Sequence, residues 1–209
     1  MADKIDLKKR YRTLFAAQAA PALIDVPALP YLMVDGAEAP GGGGFAGAVA
    51  ALYATAYAIK FAIKKAGSDP DYGVAPLEAL WWSADGRPVD PSARPAAVRW
   101  KAMVMQPDFV DRRRVDAGIA AARAKLAKKN APANAALDRV VLERLAEGRA
   151  AQLLHVGPYA EEGADIERLH AFIAQQRLAP RGRHHEIYLN DPARTAPEKL
   201  KTILRQPVG

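Results

Sequence analysis

Two stretches of this chain carry apolar residues at helical spacing. The first runs from Phe45 to Lys64 and predicts a long helix that ends at Gly67. The second predicts a shorter helix in the other half of the chain, with its apolar stripe at Ile166, Leu169, Phe172 and Ile173. A basic amphipathic helix is predicted between them, over residues 111–129. The two apolar helices therefore divide the chain into comparable halves.

Strand-like segments surround the two apolar helices in the same order. Each helix has one predicted strand before it and two after it; the ranges are 28–35, 73–83 and 98–106 in the first half and 149–156, 183–190 and 199–207 in the second. A further strand, at 139–146, is predicted to form a hairpin with 149–156 through Glu147 and Gly148. Both halves therefore follow the order strand, helix, strand, strand.

A short sequence repeat supports the division into halves. The segment KAMVMQP at residues 101–107 returns as KTILRQP at residues 201–207. These patterns predict an α+β fold of tandem, pseudo-symmetric β-α-β-β modules, with antiparallel sheets and helices on one face of each sheet. The uncovered faces of the sheets are then expected to meet, with a ligand cleft between the halves.

The chain is expected to form one domain. Residues 1–20 are predicted to be a polar, partly helical lead-in, and residues 21–209 a single domain. Its halves span about 28–107 and 137–209, and a helix with a linker at 108–136 joins them. Half of the 209 residues are apolar, which is enough for a sizeable core.

Composition excludes several classes of function. Cysteine is absent, so the chain has no disulfide, no thiol nucleophile and no thiolate metal site. The net charge of +7 is spread along the chain, and with no helix-turn-helix pattern we expect no nucleic-acid binding. No apolar run approaches the length of a membrane span, and the charged N-terminus lacks a signal core. A soluble cytoplasmic protein without membrane association is therefore expected.

Alternation along the strands selects the candidate site residues. Glu186 and Tyr188 point away from Ile187, whose apolar side chain belongs against the helix, so both are expected to face the cleft. By the same argument Glu78 and Trp82 are expected to face it from the first half. A carboxylate among aromatic rings is poorly solvated, so its pKa rises, and it can attract a cation, accept a hydrogen bond or act as a general base on water. The alternative is that both glutamates are ordinary strand residues paired with arginine or lysine.

Aromatic residues elsewhere extend the candidate site. Tyr53, Tyr57 and Lys60 lie on adjacent turns of the first helix, either as core residues with a snorkelling lysine or as pocket lining. Tyr159 follows a Gly-Pro pair at a strand end, where loops often reach a ligand. The pattern favours a core position for Trp81.

No cofactor or metal ion is expected. His184 and His185 are adjacent on a strand and point to opposite faces, so they cannot easily bind one ion. His155 and His170 show no ligand spacing. The glycine run 41–44 lacks the Lys-Ser/Thr of a phosphate-binding loop, so it is interpreted as a mobile lip or a plain linker.

Several sequence motifs together resemble those of one known family. They are LYATAYAIKF at 52–61, PLEALWW at 76–82, QPDFV at 106–110, EG at 147–148 followed by QLLHVGPY at 152–159, and HHEIYLNDP at 184–192 running into APEKLKTILR at 196–205. In their order and spacing the chain resembles the GyrI-like small-molecule-binding proteins, in particular their stand-alone bacterial branch.

The resemblance implies a ligand cleft between pseudo-symmetric halves. Relatives include effector domains of multidrug-sensing regulators, in which a buried glutamate meets cationic aromatic drugs, and Glu186 sits at the matching position. Other relatives are hydrolases that open the cyclopropane ring of DNA-alkylating cytotoxins. There Glu186 would position or deprotonate water, while Tyr188, Tyr159, Tyr57 and Trp82 hold the planar drug and a tyrosine hydroxyl or Lys60 stabilises the phenolate. The alternative is a non-catalytic module that sequesters drugs or inhibits a protein partner such as gyrase.

Overall fold

The computed structural model describes residues 4–37, 43–67, 69–83, 98–127 and 133–209. Its helices are α1 Leu7–Arg10, α2 Arg12–Phe15, α3 Gly43–Ala66, α4 Arg112–Ala127, α5 Ala133–Leu137 and α6 Glu162–Gln175. Its strands are β1 Ala22–Val26, β2 Leu29–Gly36, β3 Leu77–Ser83, β4 Val98–Met105, β5 Val141–Leu145, β6 Gly148–Val156, β7 His184–Tyr188 and β8 Lys201–Pro207. Gly41 and Gly42 of the predicted lip, and residues 128–132, lie outside the described ranges.

All eight strands form a single antiparallel sheet, in the order β1-β6-β8-β7-β3-β4-β2-β5. The order β6-β8-β7 of the second half repeats the order β2-β4-β3 of the first half in the opposite direction. The two halves join where β3 pairs with β7, with Ala79 opposite Glu186. The α+β fold and its pseudo-symmetric halves are therefore confirmed, although the halves share one sheet.

The predicted hairpin between 139–146 and 149–156 is wrong. β5 pairs with β2 at one edge of the sheet, whereas β6 pairs with β1 and β8 near the other edge. Only Ala146 and Glu147 separate β5 from β6, and Gly148 then takes a φ of 69°. A left-handed glycine here allows a sharp corner, at which the chain leaves one half of the sheet for the other.

The sheet must curl strongly, because both short connections join strands from opposite ends of its order. Two residues, Pro27 and Ala28, link β1 to β2 in the same way that two residues link β5 to β6. Two residues bridge only about 11 Å of chain. The side chain of Arg144 also donates from Nη2 to the carbonyl oxygen of Ala28 over 2.7 Å, across this corner. The strand that precedes each half's β-α-β-β order, β1 before β2 and β5 before β6, thus pairs with a strand of the other half.

Both long apolar helices lie on the same face of the sheet. α6 buries Ile166 and Leu169 in a cluster with Leu204 of β8, while α3 packs on β2 and β4. At the start of α3, Phe45 contacts Trp81, whose side chain shares its face with Glu186 and Leu204 through the strand registers. Within the described residues neither helix packs extensively on β3 or β7. The central strands therefore form the floor of a groove between the two helices.

The expected position of the cleft needs correction. The uncovered faces of two sheets cannot meet, because the halves are joined edge to edge in one sheet. The other face is instead covered in part by the N-terminal segment, whose Leu7 and Leu14 are buried. Backbone oxygens of this segment accept hydrogen bonds from the sheet: Thr13 from Gln152 and Leu14 from Arg205.

Helix α3 is long and apolar enough to cross a membrane, with a mean hydropathy of 1.5, and half of that window is buried inside the protein. Its buried side is made of small and aliphatic residues such as Ala48, Leu52 and Ile59. Gly118 of α4 allows the two helices to approach closely, since a Cβ there would lie 2.6 Å from Ile59 Cγ1. The apolar residues on the buried side of α3 are therefore explained by packing in the protein core.

Replacing Gly36 by Ala is expected to destabilise the protein. A Cβ at this position would lie 1.9 Å from Trp100 Cζ2, so the buried indole must move. Overpacking of this kind costs about 1–3 kcal/mol in the free energy of unfolding, which urea denaturation measures. Gly73→Ala is the matched control, because a Cβ there has no neighbour within 4 Å. Equal unfolding free energies for the two variants would contradict the prediction.

Candidate functional site

The floor of the groove holds a carboxylate that accepts a hydrogen bond from a phenol. Tyr188 Oη donates to Glu186 Oε2 over 2.7 Å, and Trp81 Nε1 donates to Tyr188 Oη over 3.1 Å. The side chain of Glu186 is 14% exposed, so it is largely desolvated but still reachable. The indole thus donates to the phenol, and the phenol donates to the carboxylate of Glu186, which only accepts.

Further aromatic rings contact both Tyr188 and Trp81, the two donors of these hydrogen bonds. Tyr159 follows β6 and packs edge-on against Tyr188, with ring centroids 5.6 Å apart. Phe45 lies in the first turn of α3, and its ring centroid is 5.3 Å from that of Trp81 and 5.0 Å from that of Trp100. Planar ligands stack favourably on such rings, and cations are attracted to their faces.

A second carboxyl group reaches the site from the start of α6. Glu162 is the first residue of that helix and is 5% exposed. The sheet ties this end of the helix down: His155 Nδ1 lies 2.9 Å from Asp165 Oδ2, and His155 Nε2 lies 3.2 Å from the carbonyl oxygen of Pro158. The two carboxyl groups, Glu162 and Glu186, are called the carboxyl pair below.

The carboxyl pair is strongly perturbed. Burial, reinforced by the charge of Glu186, raises the pKa of Glu162 to about 9. Burial also raises the pKa of Glu186, to about 7, against the opposing hydrogen bond from Tyr188. Burial and then the negative Glu186 raise the pKa of Tyr188 well above its ordinary value. Since burial disfavours the charged form of a carboxyl group, Glu162 keeps its proton near neutral pH.

The outer wall of the groove is an aromatic ladder on α3. The rings of Tyr53 and Tyr57 are 6.3 Å apart, and those of Tyr57 and Phe61 are 6.1 Å apart. Tyr53 is half-buried beside β3, and burial, then Tyr57, raises its pKa to about 12. Tyr57 and Phe61 are 45% and 58% exposed. The ladder therefore continues the aromatic lining from the floor towards solvent.

Lys60 forms an ion pair away from Glu186. Its Nζ lies 2.7 Å from Asp71 Oδ1 and 5.0 Å from the centroid of the Phe61 ring. It lies seven residues beyond Tyr53, or about 10 Å further along the helix axis. The structure thus pairs Lys60 with Asp71 and does not bring it to Glu186.

Glu78 and Trp82 do not share the face of Glu186, so this part of the prediction is wrong. The register sets Ala79 opposite Glu186 and Trp81 opposite His184, which turns the neighbouring Glu78 and Trp82 to the other face. A change of one residue in the pairing register of two strands moves every side chain of one strand to the other face of the sheet. Trp82 instead stacks on Arg183, whose guanidinium carbon lies 3.6 Å from the ring centroid.

Glu78 belongs to a buried ion network on that other face, which comprises Glu78, Glu147, His185 and Arg205. His185 Nε2 lies 3.0 Å from Glu78 Oε2, and His185 Nδ1 lies 3.0 Å from Glu147 Oε1. Arg205 Nη1 donates to Glu147 Oε2 over 3.2 Å. All four residues are at most 3% exposed. This network closes the core and links β3, β7, β8 and the β5–β6 corner.

Charge balance explains the pKa values in this network. Burial opposes the charged form of Glu147, but His185 and Arg205 outweigh it and lower its pKa to about 2. Burial likewise opposes the charged form of His185, but Glu147 and Glu78 raise its pKa to about 9. Glu147 and His185 therefore stabilise each other's charged forms. The sequence pattern did not indicate that Glu147 and Arg205 belong to this network.

Sequence reasoning also missed part of the groove. Glu162 and Phe45 were not predicted site residues. Trp81 is buried in the core, as the pattern favours, but its Nε1 also donates to Tyr188 Oη. Trp81 could have been found by testing both possible alignments of β3 with β7. Glu162 lies three residues after Tyr159, but a glutamate in the first turn of a helix is commonplace.

A curled α+β sheet with a half-buried carboxylate among aromatic rings defines a small-molecule binding domain. The chain belongs to the GyrI-like family: the model of the GyrI-like small molecule binding domain matches residues 20–208. A search of curated proteins found no match.

Solved structures from Listeria innocua are similar to this chain over its whole length. One, an uncharacterized conserved protein, has 38% sequence identity and a TM-score of 0.87, covering 99% of this chain and 100% of that one. Another, described as a hydrolase, has 37% identity and a TM-score of 0.82 with the same coverage. The C-terminal domain of EcmrR shares only the fold, at 10% identity and a TM-score of 0.53, covering 90% of this chain and 96% of that one.

Proposed function

We propose that this protein binds planar aromatic molecules in the groove between α3 and α6 and hydrolyses cyclopropane-containing DNA-alkylating cytotoxins. The observation that carries the proposal is Glu186, a half-buried carboxylate that accepts the Tyr188 hydrogen bond between aromatic rings. The hydrolase from Listeria innocua, at 37% identity over the whole chain, supports a catalytic reading. The activity would protect the cytoplasm of the producing or exposed cell.

The site supplies the groups that such a reaction needs. The oxygen of a water molecule bonds to the cyclopropane methylene carbon while the strained carbon–carbon bond breaks. The electron pair of that bond passes into the conjugated ring system and leaves a phenolate oxygen, which takes up a proton. Glu186 as carboxylate accepts the proton lost by water, a general-base role for which a pKa near the working pH is well suited. Tyr188 orients the carboxylate, and Tyr159 and Tyr57 stack on the ring system.

Incubation with a cyclopropane-bearing alkylator, followed by mass spectrometry, tests this proposal. At substoichiometric protein, we expect each alkylator molecule to gain the mass of one water over many turnovers. Unchanged alkylator bound in a one-to-one complex would contradict catalysis and identify a sequestering module instead. A binding measurement with a lipophilic cation, such as tetraphenylphosphonium, shows whether the groove also accepts charged aromatic ligands.

A partner protein such as gyrase is a separate candidate. The exposed rings of Tyr57 and Phe61 form an apolar patch at the mouth of the groove, of the kind that binds either large ligands or proteins. Inhibition of gyrase supercoiling by the purified chain, lost on replacing Phe61 by Ser, would favour the inhibitor over the hydrolase.

A further inference from the structure

The imidazole of His155 has a hydrogen-bond acceptor at each of its two ring nitrogens. Nδ1 lies 2.9 Å from Asp165 Oδ2, and Nε2 lies 3.2 Å from the carbonyl oxygen of Pro158. A carbonyl oxygen only accepts hydrogen bonds, and Asp165 accepts a second one, from Arg168, as is expected of a carboxylate. Both ring nitrogens of His155 must therefore donate, which requires the positively charged imidazolium.

This imidazolium is buried on the groove side of the sheet. The side chain of His155 is 5% exposed. His155 lies opposite Thr202 on β8, which in turn lies opposite Tyr188 on β7, so the three side chains share the face that carries Glu186. A buried charge is costly unless it is paired and hydrogen-bonded, and the two contacts of His155 provide both. A positive charge is therefore part of the fold beside the candidate site.

The two hydrogen bonds join β6 to the turn at residues 157–161 and to the first turn of α6. The 157–161 turn carries Tyr159, whose ring packs edge-on against Tyr188 with centroids 5.6 Å apart. Gly157, at its start, has a φ of 146°, and a Cβ there would lie 3.3 Å from His155 Nε2. The glycine therefore lets the backbone pass close to the imidazole. The position of Tyr159 in the groove thus depends on the contacts of His155.

We propose that His155, as an imidazolium, is a positioning residue of the groove: it holds the 157–161 turn so that the ring of Tyr159 stands where a planar ligand binds. The effect on ligands rests on the proposed function, whereas the charge of His155 and its hold on the turn are properties of the free protein. A neutral imidazole has a single N–H donor, so one of the two attachments is lost with the second proton. Ligand binding is therefore expected to weaken when a rise in pH removes that proton.

The charge of His155 also acts on the candidate base. Burial has the largest effect on Glu186 and raises its pKa, and His155 is among the groups that lower it. A positive charge near a carboxyl group favours the ionised form of that group. The imidazolium therefore contributes to the carboxylate form of Glu186, which the proposed reaction needs.

The charged and titratable groups that the described residues place around the imidazolium come from the turn, α6 and β7. They are Tyr159 and Glu161 on the turn, Glu162, Asp165 and Arg168 on α6, and Glu186 and Tyr188 on β7. Lys201 of β8 belongs to the other face of the sheet. Arg168 is engaged with Asp165 and with the carbonyl oxygen of Ala19, so it supports the carboxylate that accepts from His155.

Nitrogen-15 NMR of the free protein tests the charge of His155. Near neutral pH both of its ring nitrogens are expected to carry hydrogen, and His155→Gln identifies the signals by their loss. Asp165→Asn should return the ring to a neutral form, because the amide lacks the negative charge that stabilises the imidazolium. A wild-type ring with a single protonated nitrogen near neutral pH would overturn the proposal.

Hydrogen exchange measures the hold of His155 on the turn. The amide of Glu161 donates to the carbonyl oxygen of Pro158 over 2.9 Å and so reports on the closed turn. In His155→Gln a single amide nitrogen replaces two ring nitrogens, and the Glu161 amide is expected to exchange about tenfold faster, as the loss of one charged hydrogen bond implies. His170→Gln is the matched control, since it replaces a histidine of α6 outside these contacts. Equal exchange rates in the two variants would contradict a positioning role.

Turnover of the cyclopropane alkylator connects His155 to the ligand. At neutral pH, His155→Gln should raise KM about three- to tenfold, the loss expected for one hydrogen bond, and this difference from wild type should vanish at alkaline pH. The acidic limb of its pH–rate profile should also move to higher pH, because Glu186 loses a positive neighbour. A KM and an acidic limb equal to those of wild type would overturn the proposal. If wild type shows a charged His155 and slow exchange in the turn but no turnover, the hydrolase function fails and the positioning of the turn stands.

Discussion

Glu186→Gln is expected to lower the turnover of a cyclopropane alkylator by about 10²–10⁴-fold without unfolding the protein. The amide keeps the shape of the side chain and can still accept the hydrogen bond from Tyr188, but it cannot take a proton from water. Rates of water addition, followed by mass spectrometry, measure the effect, and thermal denaturation shows that the fold is retained.

Tyr188→Phe is the informative companion of that variant. The ring remains against Tyr159, whereas the hydrogen bond that stabilises the carboxylate form of Glu186 is lost. The pKa of Glu186 should therefore rise further, and the acidic limb of the pH–rate profile should move to higher pH. A full rate in Glu186→Gln, or an unmoved acidic limb in Tyr188→Phe, would refute the assignment of Glu186 as the base.

His185→Ala is expected to cost about 3–5 kcal/mol in the free energy of unfolding, because Glu78 and Glu147 lose the cation between them in a buried site. His170→Ala is the matched control, since His170 lies on α6 outside the buried ion network. Urea denaturation of both variants and the wild type near neutral pH measures the difference. A cost similar to that of the control would contradict this account of the core.

The pH dependence of that cost has a definite sign. The pKa of His185 is raised to about 9 from an ordinary value near 6.5, so the charged histidine stabilises the fold fully below about 6.5. This contribution is lost as the pH rises through about 9, and the difference between wild type and His185→Ala should narrow there. The lowered pKa of Glu147 works in the opposite sense: its contribution is present above about 4.5 and is lost as the pH falls towards 2.

Periodicity along single elements predicted much of this molecule. The helical spacing from Phe45 onward, the repeat ending at Pro107 and Pro207, and the alternation that groups Glu186 with Tyr188 are all local properties of the chain. Such properties depend on neighbours three or four residues away, or on every second residue, so one sequence contains them in full. The fold class and the pseudo-symmetric halves followed from them.

What failed depends on how distant segments pair. Alternation along β3 was taken to place Glu78 and Trp82 on the face of Glu186, but the register with β7 sets Ala79 opposite Glu186, so Trp81 lies on that face. Glu147 and Gly148 resemble a hairpin turn, although the left-handed glycine makes a corner between distant strands. Neither outcome is encoded within a window of a few residues, because each is fixed by the closure of the whole sheet.

The pairing of β1 with β6 and of β5 with β2 restricts how the chain can be divided. A fragment that ends before β5 would keep β4 beside β2 but would lack β5 on its other side, and it would contain β1 without its partner β6. Two copies of one half could satisfy these edges only by trading strands with each other. The two halves are therefore not expected to fold as independent units, because each of them contributes one edge strand that only the other half can pair.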